Sequence, residues 1–377
     1  MPRSYLDHAS TSPIRPAALE AMLGWFRPGS GDAPGDPGRI HAEGMTSRVA
    51  LETAREQVAA LVGARPREVV FTSGGTEAIA MASYGALERA GSRRVVLPAI
   101  EHSAVRQWAE RGEAVVVGVD GRGRVDPEEL LARVDDRTAL VHLQWGNHEV
   151  GTCQDLSRVV ERCRELGVLV HVDAAQAVGR VAVDFGALGA DLLTLSGHKF
   201  GGPPGTGALL VRRGVRLPPL LLGGDQERAR RAGMENVPAL VGLGAAAEVV
   251  AARLPEEQRR SEQLTASVID WADRTDGVQL LGDRERRLPH LVCLGIEGIE
   301  PQPVLLGLDR VGVSVHSGSS CSSEALEPSP VLQAMGVDAD RSLRVSVGWS
   351  TTDADVDRLL AALPQVLDEL RALRGRA

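Results

Sequence analysis

From residue 68 onward, short apolar runs alternate with longer segments whose apolar residues recur at helical spacing. The runs at 68–71, 94–97, 114–119, 139–143 and 168–172 read as strands, and the segments at 76–89, 104–110, 127–134 and 156–166 as helices, with Asp126 placed as an N-cap. Such alternation predicts right-handed βαβ units, and hence an α/β fold with a mainly parallel sheet covered by helices. Before it, residues 1–15 are polar and turn-rich, 29–38 form a Pro/Gly/Asp loop, and 44–61 carry Leu51, Ala54, Val58 and Leu61 at helical spacing.

A further apolar run, Leu192, Leu193 and Leu195, reads as a buried strand. It ends in Ser196-Gly197-His198-Lys199, and a Gly/Pro-rich loop follows to Gly207. After about Gly244 the texture changes. A long Ala/Glu/Arg-rich helix to about Asp273 leads into strands at 278–281, 291–296, 313–316 and 343–347, with helices at 304–309 and 356–373. The expected division is a large domain over 16–244 and a smaller α+β domain built from 1–15 with 245–377.

The composition suits a soluble, two-domain globular protein: 377 residues, 43% hydrophobic and 24% charged. A net charge of −8 argues against a nucleic-acid-binding surface, so no direct nucleic-acid partner is expected. No apolar run reads as a membrane span, and the first residues lack the apolar core of a signal peptide. The expectation is a cytoplasmic protein with no membrane partner. The four cysteines (Cys153, Cys163, Cys293 and Cys321) show no C-x-x-C pairing, which speaks against structural zinc or a disulfide framework. No metal is expected.

The candidate chemistry falls at the carboxyl ends of the predicted strands, where ligands of such sheets sit. Lys199 stands on a tight turn past a buried strand. Beside apolar surface its amine would lose hydration and become a nucleophile toward carbonyls, as a Schiff-base lysine must. Ser73-Gly74-Gly75-Thr76 leads from a strand into a helix and could cradle a phosphate, or be an ordinary βα turn. Asp173, ending an apolar strand, needs a cationic partner: a pyridinium N–H or an arginine. Arg344 in an apolar strand needs a carboxylate, from a substrate or from a structural ion pair. Cys321 lies among serines and glycines, which gives its thiol access and no packing role, so it reads as a nucleophile. The other three cysteines read as structural.

Together these residues resemble the NifS/IscS-type cysteine desulfurases, of the class-V aminotransferase family and the fold-type I pyridoxal-phosphate enzymes. The resemblance rests on Tyr5-Leu6-Asp7 with Thr11-Ser12-Pro13, FTSGGTE from Phe71, Glu101-His102, NHEVGT from Asn147 and HVDAAQ from His171. It continues in SGHK from Ser196, GGDQE from Gly223, SGSSC from Ser317 and RVSVG from Arg344. It implies that pyridoxal 5′-phosphate is carried on Lys199, with its phosphate held by Gly75, Thr76, Ser196 and His198. His102 would stack on the ring, Asp173 pair with the ring nitrogen, and Gln176 and His148 contact the cofactor. Arg344 and Asn147 would bind the substrate, L-cysteine. Cys321 would take its sulfur as a persulfide, release alanine and pass the sulfur to an acceptor protein. The resemblance also implies a homodimer.

The chain departs from the family's pattern in three places. His148 stands for a usual asparagine, Met234 for a threonine that reaches the partner subunit's phosphate, and Asp36-Pro37-Gly38-Arg39 for Asn-Pro-Ser-Ser. Two other readings compete. One is a related lyase or transaminase acting on another amino acid such as selenocysteine. The other is a sulfur-relay scaffold with weak activity.

Overall fold

The computed structural model describes residues 3–26, 35–318, 328–339 and 341–374. Its centre is a seven-stranded sheet of β2 (Val69–Thr72), β3 (Arg94–Pro98), β4 (Glu113–Val117), β5 (Thr138–Gln144), β6 (Leu169–Asp173), β7 (Leu192–Ser196) and β8 (Gly207–Val211). The spatial order is β2-β8-β7-β6-β5-β3-β4. Strands β3 to β7 run parallel, and β8 lies antiparallel between β7 and β2. The sheet is therefore mainly parallel, as expected. Strand β8 was not anticipated, because the Gly/Pro run of 201–207 masks its start.

Both faces of the sheet are apolar, so successive residues of one strand enter different cores. Val96, Val141, Val170, Val172, Leu193 and Leu195 pack on one face, while Val95, Leu97, Leu140, Leu169 and Leu192 pack on the other. Helices α3 (Gly75–Ala90), α4 (Ser103–Ala109), α5 (Pro127–Leu131), α6 (Leu156–Leu166) and α7 (Phe185–Leu188) connect the strands. Helices α1 (Pro16–Phe26) and α2 (Ala42–Leu61) precede them, and β1 (Ser4–Tyr5) opens the described chain. The predicted helices and strands of 44–173 are found within a few residues of their expected bounds. Helix α1 and strand β1 are additions.

After a short turn, α8 (Gln226–Ala229), helix α9 (Val237–Ala272) crosses from one core to another. Its Leu240, Leu243 and Val250 join the large core, and its Leu264, Val268 and Ile269 join a second. The division expected at residue 245 thus falls inside a continuous helix. By length and composition alone α9 could cross a membrane, contrary to the expectation that no run would. Half of the qualifying stretch is buried in the protein. The second core gathers around the antiparallel sheet β12-β10-β9, from β9 (Val278–Leu281), β10 (Leu291–Ile296) and β12 (Ser342–Ser346). Helices α10 (Pro301–Arg310) and α12 (Asp353–Arg374) cover it. Strand β11 (Val313–Ser314) pairs in parallel with β1, which places Ser4 and Tyr5 on this second unit. Helix α11 (Pro330–Ala334) completes the described elements.

Candidate active site

A cavity of about 400 Å³ lies over the carboxyl ends of β2, β3, β5, β6 and β7. It is lined by Gly75, Thr76, His102, His148, Asp173, Gln176, Ser196, His198, Lys199 and Arg344, residues spread over most of the chain. Strand order explains the convergence: each of these strands delivers its last residue, or the turn after it, to the same sheet edge.

One end of the cavity is built for an anion. Gly74 precedes α3 with no side chain capping the helix, so the amides of the first turn remain for a ligand. The approach is tight. A Cβ on Gly207 would come within 2.7 Å of the Gly74 backbone, and one on Gly75 would meet Ser196 at 3.5 Å. Glycine at 207 keeps the cradle open, while the contact at 75 is an ordinary one.

Lys199 Nζ donates to the carbonyls of Ala9 at 2.6 Å and Ser10 at 2.9 Å. Burial, with Arg344 nearby, pushes its amine down to about 8. It is also the only lysine in the chain. Asp173 Oδ1 accepts the Ala175 N–H at 3.0 Å, and burial pushes its carboxyl up against that bond. A carboxylate held this way favours a cation beside it.

His102 caps α4, its Nδ1 accepting the Ala104 N–H at 3.1 Å. Burial, with His148 beside it, pushes its imidazole down to about 3, so it is neutral at physiological pH. The two rings meet edge to face at 5.2 Å. His198 Nδ1 is bonded to Thr11 Oγ1 at 3.1 Å. Gln176 is held at both ends of its amide. Nε2 donates to the Ala9 carbonyl at 2.8 Å, and Oε1 lies 3.2 Å from His290 Nε2.

Arg344 is 1% exposed. It donates to the His148 carbonyl at 2.9 Å, to Ser10 Oγ at 2.6 Å and to Asp7 Oδ1 at 2.9 Å, while its Nε is buried without a partner. Of the two sequence readings of Arg344, the structural ion pair is observed. Its Nε–H is left unpaired beside the cavity that the residue lines.

Asn147 takes a different place from the one expected. It is fully buried below the cavity wall. Its Oδ1 accepts the N–H groups of Glu149 at 2.8 Å and Val150 at 2.9 Å, and its Nδ2 donates to the Ile100 carbonyl and to Gln144 Oε1. The amide is spent on the turn, and His148 is the residue that faces the cavity. Cys321 lies outside the described residues. Burial pushes the Cys153 thiol up to about 11 and those of Cys163 and Cys293 up to about 12, which suits packing rather than nucleophilic roles. Asp7, Glu77 and the carbonyls of Ala9 and Ser10 were not singled out for the site. Within the resemblance, Tyr5-Leu6-Asp7 contained the first of them and FTSGGTE ended in the second.

The cavity as a whole sets an uncapped helix terminus, the buried Asp173 carboxyl and an arginine with an unpaired Nε around one amine of lowered basicity. The family model for class-V aminotransferases matches residues 4–359. A cysteine desulfurase of Gluconacetobacter diazotrophicus is 42% identical over 98% of this chain and 94% of its own length. Among solved structures, a NifS-like protein superposes with a TM-score of 0.90 at 32% identity, covering 98% of this chain and 100% of that one. A structure described as SspA in complex with cysteine superposes with a TM-score of 0.80 at 27% identity, covering 93% and 100%.

Proposed function

The chain belongs to the class-V aminotransferase family, and from that membership we propose how its residues carry out cysteine desulfuration. It is a pyridoxal-phosphate-dependent cysteine desulfurase that converts L-cysteine to L-alanine. The observation that carries the reading is the meeting of Lys199, Asp173 and Arg344 around the α3 cradle in one cavity.

The residues present fit the cofactor, since an uncapped helix terminus, a carboxylate favouring a cation and an amine of lowered pKa match its phosphate, ring nitrogen and aldehyde. When bound, pyridoxal phosphate supplies an electron sink for the substrate's α-carbon. The amides of Gly75 and Thr76, with Ser196 and His198, would hold the phosphate. Asp173 would keep the ring nitrogen protonated, His102 would lie against the ring, and Gln176 would meet the ring oxygen. Lys199 would carry the cofactor, and its amine, once free, would move the α-proton. Arg344 would orient the substrate carboxylate with its unmet Nε–H.

Cys321 would take the sulfur. Its thiol and the cysteine thiol become a persulfide on Cys321 and a methyl group on alanine, so atoms and protons balance without another reductant. The persulfide would then pass to an acceptor protein. We also place the protein in the cytoplasm and read it as a homodimer; sedimentation of the loaded enzyme at twice the 40.0 kDa chain mass would support the dimer, and the mass of one chain would refute it. The function is tested by supplying L-cysteine to the loaded protein. Alanine is the expected product, and its absence would refute the reading.

A further inference from the structure

An acid stands in the wall of the anion cradle. Glu77, in the first turn of α3, lines the same cavity as Gly75 and Thr76. Its Oε2 accepts the Ser73 N–H at 2.7 Å. Burial alone would push this carboxyl up, but the Arg231 guanidinium and the Ser73 N–H outweigh burial and hold it below the usual carboxylate range. An ionised carboxylate beside a dianion is repulsive, most of all where water is thin.

Arg231 meets that charge from outside the cavity. Its Nε lies 2.8 Å from Glu77 Oε1 and its Nη2 lies 3.3 Å from Oε2. The chain makes an unusual effort to bring it there. Glu227, Arg228 and Ala229 all hold left-handed backbone, with φ of 49°, 60° and 60°, a conformation L side chains disfavour. Glu227 is fixed by a buried fork to Arg55, at 2.6 and 2.7 Å, and accepts the Phe71 N–H of edge strand β2 at 2.8 Å. The strained turn is thus bolted to the strand that leads into the cradle, and Arg231 follows two residues after it.

We propose that Arg231 belongs to the phosphate site and acts at one remove, cancelling the charge of Glu77 so that the cradle accepts a phosphate dianion. This rests on the reading of the cavity as a pyridoxal-phosphate site. It makes Arg231 a positioning and charge-balancing residue, not a ligand contact. Its effect should follow the ligand's phosphate, not its ring.

The test measures equilibrium binding of pyridoxal 5′-phosphate and of pyridoxal, which lacks the phosphate, to protein stripped of cofactor. Arg231→Gln should weaken pyridoxal 5′-phosphate on the order of tenfold and leave pyridoxal unchanged. Glu77→Gln should bind pyridoxal 5′-phosphate as tightly as the unmodified protein, or tighter. The double variant should return to within roughly threefold of the unmodified protein, because the charge that needed balancing is gone. No loss in Arg231→Gln, an equal loss for both ligands, or a loss that survives in the double variant would overturn the proposal. If the unmodified protein binds neither ligand, the cofactor reading itself fails, and the proposal with it.

Discussion

Arg344 Nη2 lies 2.9 Å from Asp7 Oδ1, an ion pair joining positions 337 apart in the sequence beside the cavity that Arg344 lines. The pair fixes the guanidinium in place while its Nε–H stays without a partner. Asp7→Asn keeps the shape and removes the charge. The expected result is a KM for L-cysteine raised about tenfold, with kcat changed by less than about threefold. A kcat that falls as far as KM rises would give Asp7 a part in the chemistry instead.

The lowered basicity of Lys199 sets a pH dependence with a definite sign. Only the neutral amine attacks an aldehyde, so capture of pyridoxal phosphate by stripped protein should speed up as pH rises through about 8 and then level off. A rise continuing toward the ordinary lysine value of 10.5 would contradict the burial argument. Because the chain has no other lysine, borohydride should fix the cofactor to the peptide holding Lys199. Fixation at the amino terminus instead would remove the assignment.

Cys321→Ser is expected to keep the cofactor's absorbance and abolish sulfur release. Cys153→Ser should turn over normally, because burial pushes the Cys153 thiol up to about 11 and leaves little thiolate. The reverse pattern would mean that the nucleophile is misassigned.

Glu227 is 4% exposed and answers Arg55, itself 2% exposed. Truncating Glu227 leaves Arg55 with only the partly exposed Glu52 at 3.3 Å and the Val69 carbonyl, so Glu227→Ala should lower stability by about 2–4 kcal/mol. Denaturant unfolding of the stripped protein measures it. A loss under about 1 kcal/mol would show that water reaches Arg55 and replaces the carboxylate.

Much of this was legible in the sequence, because local rules govern it. Apolar runs marked β3, β5, β6 and β7, and the residues just past them gave Lys199, Asp173 and His102. Strand β8 was hidden by Gly201-Gly202-Pro203-Pro204, which reads only as loop. Helix α1 was passed over, since a short segment between two polar, turn-rich stretches gives little periodicity. The ion pairs were beyond reach. Arg344 announced that it needed a carboxylate, but nothing near it in the chain identified Asp7. Glu227 and Arg55 are 172 positions apart, and the left-handed turn that joins them has no glycine to mark it. Asn147 misled for the opposite reason: it sits in the right motif, but its amide is spent holding the turn that aims His148.

The central claim is that sulfur leaves cysteine for a residue of this chain. It is tested most directly by rapidly mixing the loaded protein with a small excess of L-cysteine and no other thiol, and counting alanine against persulfide in the first burst. The account predicts about one alanine for each active site, an equal amount of persulfide on the peptide containing Cys321, and renewed turnover when dithiothreitol is added. Pyruvate in place of alanine, or alanine formed with no sulfur held on Cys321, would contradict it.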